Sequence, residues 1–205
     1  MNQIAKISAA LITFFMCVCT HFIFGYSLGY GLDRFPGSSF LFMASYLGIL
    51  LILLGWLVLI LTSVIQLFAT PAKNPLSMII PIGACLLYFP LAQVVNSQAR
   101  IQGATDRIKK DGGTDLAKQL RNDAKAFTVS GEIKRENLPE SFRKLGGTSA
   151  GARITSENLR SVELITSGAF FPTSWIIIPS DLDFKLAETR SIFCVQEGIY
   201  RVVEP

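Results

Sequence analysis

Charged residues are distributed very unevenly along this 205-residue chain, and this distribution constrains the fold more than any other feature. Residues 1–100 contain five charged residues, and residues 101–205 contain the other twenty-nine. A charge-poor half of this length is typical of membrane-spanning helices, whereas the second half has the charge content of a soluble domain. The sequence therefore excludes a single ordinary soluble domain, a chain embedded in membrane throughout, and a disordered protein.

Three apolar segments without charges predict three transmembrane helices, at about 7–31, 40–68 and 76–95. About 20 predominantly apolar residues cross a hydrocarbon core that is roughly 30 Å thick, and each segment reaches that length. The second segment is longer than the bilayer requires, so we expect it to tilt or to extend beyond the hydrocarbon. Because no small-x-small cleavage site follows the first segment, we interpret it as a retained anchor and not as a cleaved signal peptide.

The composition becomes polar in the second half of the chain, and this change predicts the domain organisation. Residues 1–97 form the predicted membrane domain, residues 98–113 a stalk or linker, and residues 114–205 a soluble domain. The stalk is expected to continue the third helix out of the bilayer and to break at Gly112 and Gly113. The soluble domain is long enough for its own hydrophobic core, so we expect it to fold without the membrane domain.

The soluble domain is predicted to contain two short helices followed by an antiparallel sheet of about four to five strands. Leucines at helical spacing after residue 114 indicate the first helix, and Gly146 ends the second. Alternating apolar residues from residue 159 onward indicate strands, and Glu197 and Gly198 form the two-residue signature of a β-hairpin. The predicted fold is therefore an integral membrane protein with three transmembrane α-helices followed by a small α+β domain.

The use of histidine and cysteine argues against an enzyme or a metal protein. The single histidine, His21, lies in the first apolar segment, so the soluble domain has no imidazole for a nucleophilic triad. Cys194 is the one cysteine of that domain, and a zinc site needs several cysteine or histidine ligands. We therefore assign no catalytic residue, no metal ligand and no cofactor to this chain.

Two further motifs have simple structural explanations. Residues 146–153 have the glycine spacing of a phosphate loop but lack its lysine, so we interpret them as a connection between a helix and a strand. Asp181 and Asp183 have the spacing of paired cation ligands, although a turn between strands explains them better.

Two sets of polar residues near the membrane are candidate functional residues. His21 lies within a predicted span, where ionisable residues are functional candidates, and packing against a neighbouring helix is the preferred alternative. Arg107, Lys109 and Lys110 form a short basic cluster close to the third span, and anionic lipid headgroups are its expected partner. The second half of the chain is otherwise nearly balanced in charge, so nucleic acid is not expected to bind.

Small residues recur on the first two predicted spans and are candidates for helix packing. Gly25 and Gly29 form a G-x-x-x-G motif at the end of the first span. A second set, here called the seam, lies along the second span and comprises Ala44, Gly48, Gly55 and Thr62. Small residues let helix backbones approach closely in lipid, where no hydrophobic effect drives association. The seam fits packing within a three-helix bundle, which is the preferred interpretation, or self-association of the chain.

These features predict a membrane-anchored interaction or regulatory module, whose α+β domain binds a protein or a small molecule at the membrane surface. A subunit of an oligomeric channel or transporter is the first alternative, although no Asp, Glu, Lys or Arg lies within the spans to line an ion path. A membrane-bound enzyme that acts on lipid is the second alternative. The expected partners are the lipid bilayer and a protein that binds the domain or the helices.

Basic residues near the spans predict the orientation of the chain as a multi-pass protein of the cell membrane. With three spans, the amino terminus and the α+β domain lie on opposite sides of the bilayer. Five Lys or Arg residues lie on the side of the domain and two on the other side, and basic residues favour the cytoplasm. The α+β domain is therefore predicted to be cytoplasmic, although Lys6 before the first span argues for the reverse.

Overall fold

The computed structural model of the chain contains three long helices followed by an α+β region. The helices are α1 (Gln3–Tyr30), α2 (Ser38–Ala69) and α3 (Leu76–Asp111). The structure describes residues 3–31, 38–69, 76–127, 131–146, 150–155, 161–167, 172–182, 185–186, 188–189 and 192–203.

One of the long helices has the length and composition of a membrane span. Within the described residues, the segment Ile7–Tyr30 of α1 is long and apolar enough to cross a bilayer, and α2 contains a shorter apolar stretch, Leu47–Thr62. For one of the three predicted spans, the structure therefore confirms a helix that is long and apolar enough to cross a bilayer.

The predicted stalk is the continuation of α3, which remains helical as far as Asp111. Gly112 and Gly113 have φ angles of 140° and 60°, a region that L side chains rarely adopt. These two glycines end α3 and redirect the chain into α4 (Gly113–Asp123), which buries Leu116 and Leu120 on one face. A further short helix, α5 (Glu140–Gly146), follows.

A six-stranded antiparallel sheet completes the fold, in the order β1-β2-β3-β4-β6-β5. Its strands are β1 (Gly131–Ile133), β2 (Ala150–Thr155), β3 (Ser161–Ser167), β4 (Pro172–Ile177), β5 (Ile192–Gln196) and β6 (Ile199–Val203). The α+β class and the antiparallel sheet are confirmed, and the hairpin at Glu197 and Gly198 joins β5 to β6. The prediction of four to five strands missed β1, because three residues are too few to display an alternating pattern.

One face of the sheet is buried and holds the core of the α+β region. Leu164 in β3 pairs with Trp175 in β4, which in turn pairs with Arg201 in β6. All three side chains are buried, as is Phe142 of α5, whose ring meets the ring of Phe127 edge to face at 5.4 Å. Since side chains alternate between the two faces of a strand, this register places Arg201 among apolar residues.

The chain divides into two compact units, and each unit combines segments that are distant in the sequence. The helix unit comprises Met1–Gly25 and Phe40–Ala99, and the sheet unit comprises Tyr26–Ser39 and Arg100–Pro205. The sheet unit therefore includes the last residues of α1 and the end of α3, which the sequence assigned to the membrane domain and the stalk. A fragment that begins near residue 113 lacks both of these helix ends.

Candidate functional site

The sheet unit contains a buried arginine that sequence patterns did not single out. Arg201 has 0 % of its surface exposed. Its guanidinium carbon lies 4.7 Å from the centre of the Trp175 ring, in a cation–π contact. The Nη1 group donates a hydrogen bond to Thr166 Oγ1 at 3.3 Å, and Nη2 donates to the backbone oxygen of Leu28 at 3.2 Å. Arg201 is therefore bonded both to the sheet and to α1.

The backbone oxygen of Leu28 is a favourable acceptor because of its position in α1. The last four carbonyl groups of a helix have no partner within the helix, and the negative end of the helix dipole attracts a cation there. Gly31 N donates to the Ser27 oxygen at 2.9 Å, and the next carbonyl along the chain accepts from Arg201. Arg201 thus acts as a C-terminal cap for α1 and attaches this helix end to β6.

The second acceptor of Arg201 is held in place by a pair of threonines. Thr166 in β3 and Thr173 in β4 are direct cross-strand neighbours, and both are buried. The Thr166 hydroxyl donates to the Thr173 backbone oxygen at 2.5 Å, and the Thr173 hydroxyl donates to the Thr166 backbone oxygen at 3.2 Å. Because the Thr166 proton is used in this way, its oxygen lone pairs face Arg201 as acceptors.

The ends of α1 and α3 contact each other closely in the sheet unit. A Cβ atom at Gly29 would collide with the backbone oxygen of Arg100, and one at Gly103 would collide with the backbone oxygen of Tyr26. The Tyr26 hydroxyl donates to Asp106 Oδ2 at 3.2 Å. Glycine at both positions therefore permits a backbone contact that any side chain would prevent. Gly29 was predicted to pack helices, whereas Gly103 was missed, although Ala99 and Gly103 repeat the small-x-x-x-small spacing.

The predicted headgroup cluster is divided by the structure into one enclosed and two exposed residues. Arg107 Nε lies 2.8 Å from Asp111 Oδ2, and the Arg107 side chain is 12 % exposed. Its Nη2 group donates to the Lys144 backbone oxygen at 3.2 Å, and the guanidinium lies over the Tyr30 ring. Lys109 and Lys110 are exposed. The Arg107 side chain therefore contacts other groups of the protein, whereas the side chains of Lys109 and Lys110 lie at the surface.

His21 lies in a polar cluster within the helix unit. Its Nδ1 atom is 3.0 Å from the Cys17 backbone oxygen, and its Nε2 atom is 3.1 Å from the Tyr88 hydroxyl. Since a carbonyl only accepts, the Nδ1–H group donates to the Cys17 oxygen. Trp56 Nε1 donates to Cys17 Sγ at 3.1 Å. This cluster connects α1, α2 and α3, so His21 occupies a helix-packing position.

The small residues of the seam do not share one environment. A Cβ at Gly48 would lie 3.3 Å from Thr20 Cγ2 of α1, whereas a Cβ at Gly55 would meet no atom within 4 Å. Ala44 and Thr62 are exposed, and the Thr62 hydroxyl bonds to backbone oxygens of its own helix. The structure therefore places Gly48 at a helix contact and the other three residues outside one. Gly25 of α1 does lie at a contact, where a Cβ would be 2.6 Å from the Asn96 backbone oxygen.

We predict that leucine is tolerated at Gly55 and not at Gly48. Gly48→Leu inserts a side chain against Thr20 and should lower the free energy of unfolding by about 1–3 kcal/mol, as overpacking typically does. Gly55→Leu adds a side chain to open space on the same helix and serves as the matched control. Thermal unfolding of both variants in detergent measures the difference. Equal midpoints for the two variants would contradict the contact at Gly48.

The α+β region also contains a polar cleft with a volume of about 380 Å³, beside the break between α3 and α4. Three helices line it: Asp111 belongs to α3, Asp115 and Gln119 to α4, and Glu140 and Lys144 to α5. No group of three or more His, Cys, Asp or Glu in the described part of the chain is arranged to hold a metal ion. The cleft can therefore accept a polar ligand that contacts the end of α3 and α5 together.

The other candidates from the sequence, which are Cys194, the glycine-rich segment and the two aspartates, lie where a structural role explains them or outside the described residues. Cys194 is half-buried and donates to the Gln196 backbone oxygen at 3.4 Å, and burial raises the pKa of its thiol, so the reactive thiolate is disfavoured. Gly146 ends α5 and Ala150 begins β2, the reverse of the strand-loop-helix order of a phosphate loop, while residues 147–149 lie outside the described residues. Asp181 lies in an exposed turn, and Asp183 is outside the described residues.

Comparison of the chain with known proteins gives no relative from which a function can be transferred. The chain matches no protein-family model, no curated protein and no solved structure.

Proposed function

We propose that the chain is a membrane-anchored interaction module, in which transmembrane helices hold the sheet unit at the membrane surface, where it binds a protein or a small molecule. The observation that carries the proposal is the hydrogen bond from Arg201 to the Leu28 oxygen. It attaches β6 to the end of the helix that is long and apolar enough to cross a bilayer. This bond joins the sheet to the end of α1 within the sheet unit.

The distribution of exposed apolar side chains supports three membrane spans. Large apolar residues are exposed on each long helix, for example Phe15 at 66 % on α1, Leu54 at 58 % on α2 and Leu86 at 69 % on α3. In the described part of the sheet unit, no large apolar side chain is exposed to this degree. So many exposed large apolar side chains are rare on soluble proteins but normal for helices in lipid.

The basic residues at the end of α3 support the orientation that we propose for the module. The side chain of Lys109 is 70 % exposed, and Lys110 is exposed in the same turn. Basic residues that follow a span favour the cytoplasmic side and are attracted to the anionic lipids of the inner leaflet. We therefore propose that the module is a multi-pass protein of the cell membrane with its sheet unit in the cytoplasm.

The cleft beside Gly112 is the surface on which we expect the ligand to bind. It is concave, it is lined by polar groups, and one of its walls is the last residue of α3, so an occupant contacts the helix that continues from the third predicted span. Ligand sites are concave and carry a small number of convergent polar groups. Asp111 forms an ion pair with Arg107 in this wall, and Arg107 also bonds to the Lys144 backbone oxygen of α5, so an occupant adjoins the contact between α3 and α5.

Site-specific photo-crosslinking in cells tests this proposal. A photoreactive amino acid at Gln119, which lines the cleft, should give a discrete adduct whose mass identifies a protein or a small molecule. The control position is Lys118, which is exposed on the same helix but does not line the cleft. Equal adducts from both positions, or an absence of adducts together with ion flux through the reconstituted chain, would contradict an interaction module and favour a channel subunit.

A further inference from the structure

Arg100 is a partly buried cation to which the described residues provide no counter-charge. It is the one charged residue of α3 between Leu76 and Asp106. Its side chain is half-buried, its Nε atom is enclosed without a hydrogen-bond partner, and burial lowers its pKa below the ordinary value. A cation that has lost part of its hydration is destabilised unless an anion replaces the lost water.

The acidic residues that follow Arg100 on α3 are occupied by other partners. Asp106 accepts a hydrogen bond from the Tyr26 hydroxyl at 3.2 Å and faces Lys109 at 3.8 Å. Asp111 pairs with Arg107 at 2.8 Å. Neither carboxylate is therefore available to balance the charge of Arg100.

The contact with α1 indicates the depth of Arg100 relative to a bilayer. Gly29 packs directly on the backbone of Arg100, and the apolar segment of α1 ends one residue later, at Tyr30. The rings of Tyr26 and Tyr30 stack at 5.9 Å next to this contact, and tyrosines are enriched where a helix leaves the hydrocarbon. Arg100 therefore lies at the level of the lipid headgroups if α1 spans the membrane.

We infer that Arg100 binds the phosphate group of an anionic phospholipid at the end of α1 and α3. This inference rests on the proposed membrane anchoring and adds a specific ligand to it. A guanidinium presents several N–H donors in one plane, so it binds two phosphate oxygens at once, and such charge-assisted bonds are strong in a poorly hydrated environment.

The depth of Arg100 distinguishes it from the basic cluster predicted from the sequence. Lys109 is nine residues further along α3, which corresponds to about 14 Å at 1.5 Å per residue. One phosphate group cannot contact both side chains over that distance. Lys109 and Lys110 therefore provide general attraction to an anionic surface, whereas Arg100 is the residue placed to hold an individual headgroup.

Lipid titration of the purified full-length chain, followed by native mass spectrometry, tests this inference. Phosphatidylglycerol should bind to the unaltered chain more tightly than phosphatidylcholine, and Arg100→Gln should weaken its binding about tenfold or more, as expected for loss of charge-assisted bonds. Arg100→Lys keeps the charge but loses the bidentate geometry, so it should give an intermediate loss. Lys109→Gln removes the same charge from an exposed position of the same helix and should change the affinity less than twofold.

Three results would overturn the inference. The first is unchanged phosphatidylglycerol binding by Arg100→Gln, and the second is an equal loss in Lys109→Gln, which would indicate general charge attraction. The third is displacement of the lipid by excess inorganic phosphate, which would assign the site to a free phosphate. An unaltered circular dichroism spectrum in Arg100→Lys shows that a loss of binding is not a loss of fold. If the chain fails to enter phosphatidylcholine vesicles at all, the proposed membrane anchoring fails instead.

Discussion

Replacement of Arg201 by methionine is expected to lower the free energy of unfolding of the sheet unit by about 3 kcal/mol. The substitution removes the two donors to Leu28 and Thr166 and the contact with the Trp175 ring. The acceptors that remain are in a buried environment, where an unsatisfied polar group costs about 1–3 kcal/mol. Chemical unfolding of the full-length chain in detergent measures this effect.

Two further variants separate the contributions of Arg201. Arg201→Lys retains a positive charge, but a single ammonium group does not reach both acceptors in the geometry of a guanidinium, so we expect a smaller but clear loss of stability. Arg143→Met removes an exposed arginine from α5 and should have an effect within about 0.5 kcal/mol. An Arg201→Met variant as stable as the unaltered chain would contradict the attachment of the sheet to α1.

Gly29→Ala is the second substitution for which we expect a large effect. Its Cβ would collide with the backbone oxygen of Arg100, and a backbone atom cannot move away as a flexible side chain does. The ends of α1 and α3 would have to separate, at a cost of about 3 kcal/mol, the upper part of the range for overpacking. Gly103→Ala should have a similar effect, because its Cβ would collide with the Tyr26 oxygen across the same contact.

The control for these variants is Gly83→Ala on α3, where a Cβ would meet no atom within 4 Å. Alanine is the better helix former, so this variant should be neutral or slightly stabilising. The double variant Gly29→Ala and Gly103→Ala should lose less than the sum of the single losses, because one separation of the helices relieves both collisions. Additive losses would indicate that the two glycines belong to independent contacts.

The elements that local patterns specify were predictable from the sequence. The alternation of apolar residues and the Glu197–Gly198 turn specify β5 and β6, and the glycine pair at Gly112 and Gly113 specifies the end of α3. The spanning length of α1 follows from its composition alone. In each case a few neighbouring residues contain the whole signal, so no tertiary information is needed.

The candidate site depends on tertiary contacts and was therefore less predictable. A charged residue in a strand is usually exposed, so Arg201 was not identified, although Ile199 and Val203 on the same face indicate a buried position. The i,i+4 pair between Arg107 and Asp111 was visible in the sequence, but the bond from Arg107 to the Lys144 oxygen was not. The boundary of the sheet unit depends on a contact between residues about seventy positions apart, which no local pattern encodes.

Reporter fusions at two positions test the proposed membrane topology directly. With three spans, a site after Lys73 lies between the second and third spans, and Pro205 lies beyond the third. Paired reporters that are active only inside or only outside the cytoplasm should therefore place the two positions on opposite sides of the membrane, with Pro205 in the cytoplasm. If α1 alone crosses the bilayer, both positions lie on the same side, and that result would contradict the three-span account.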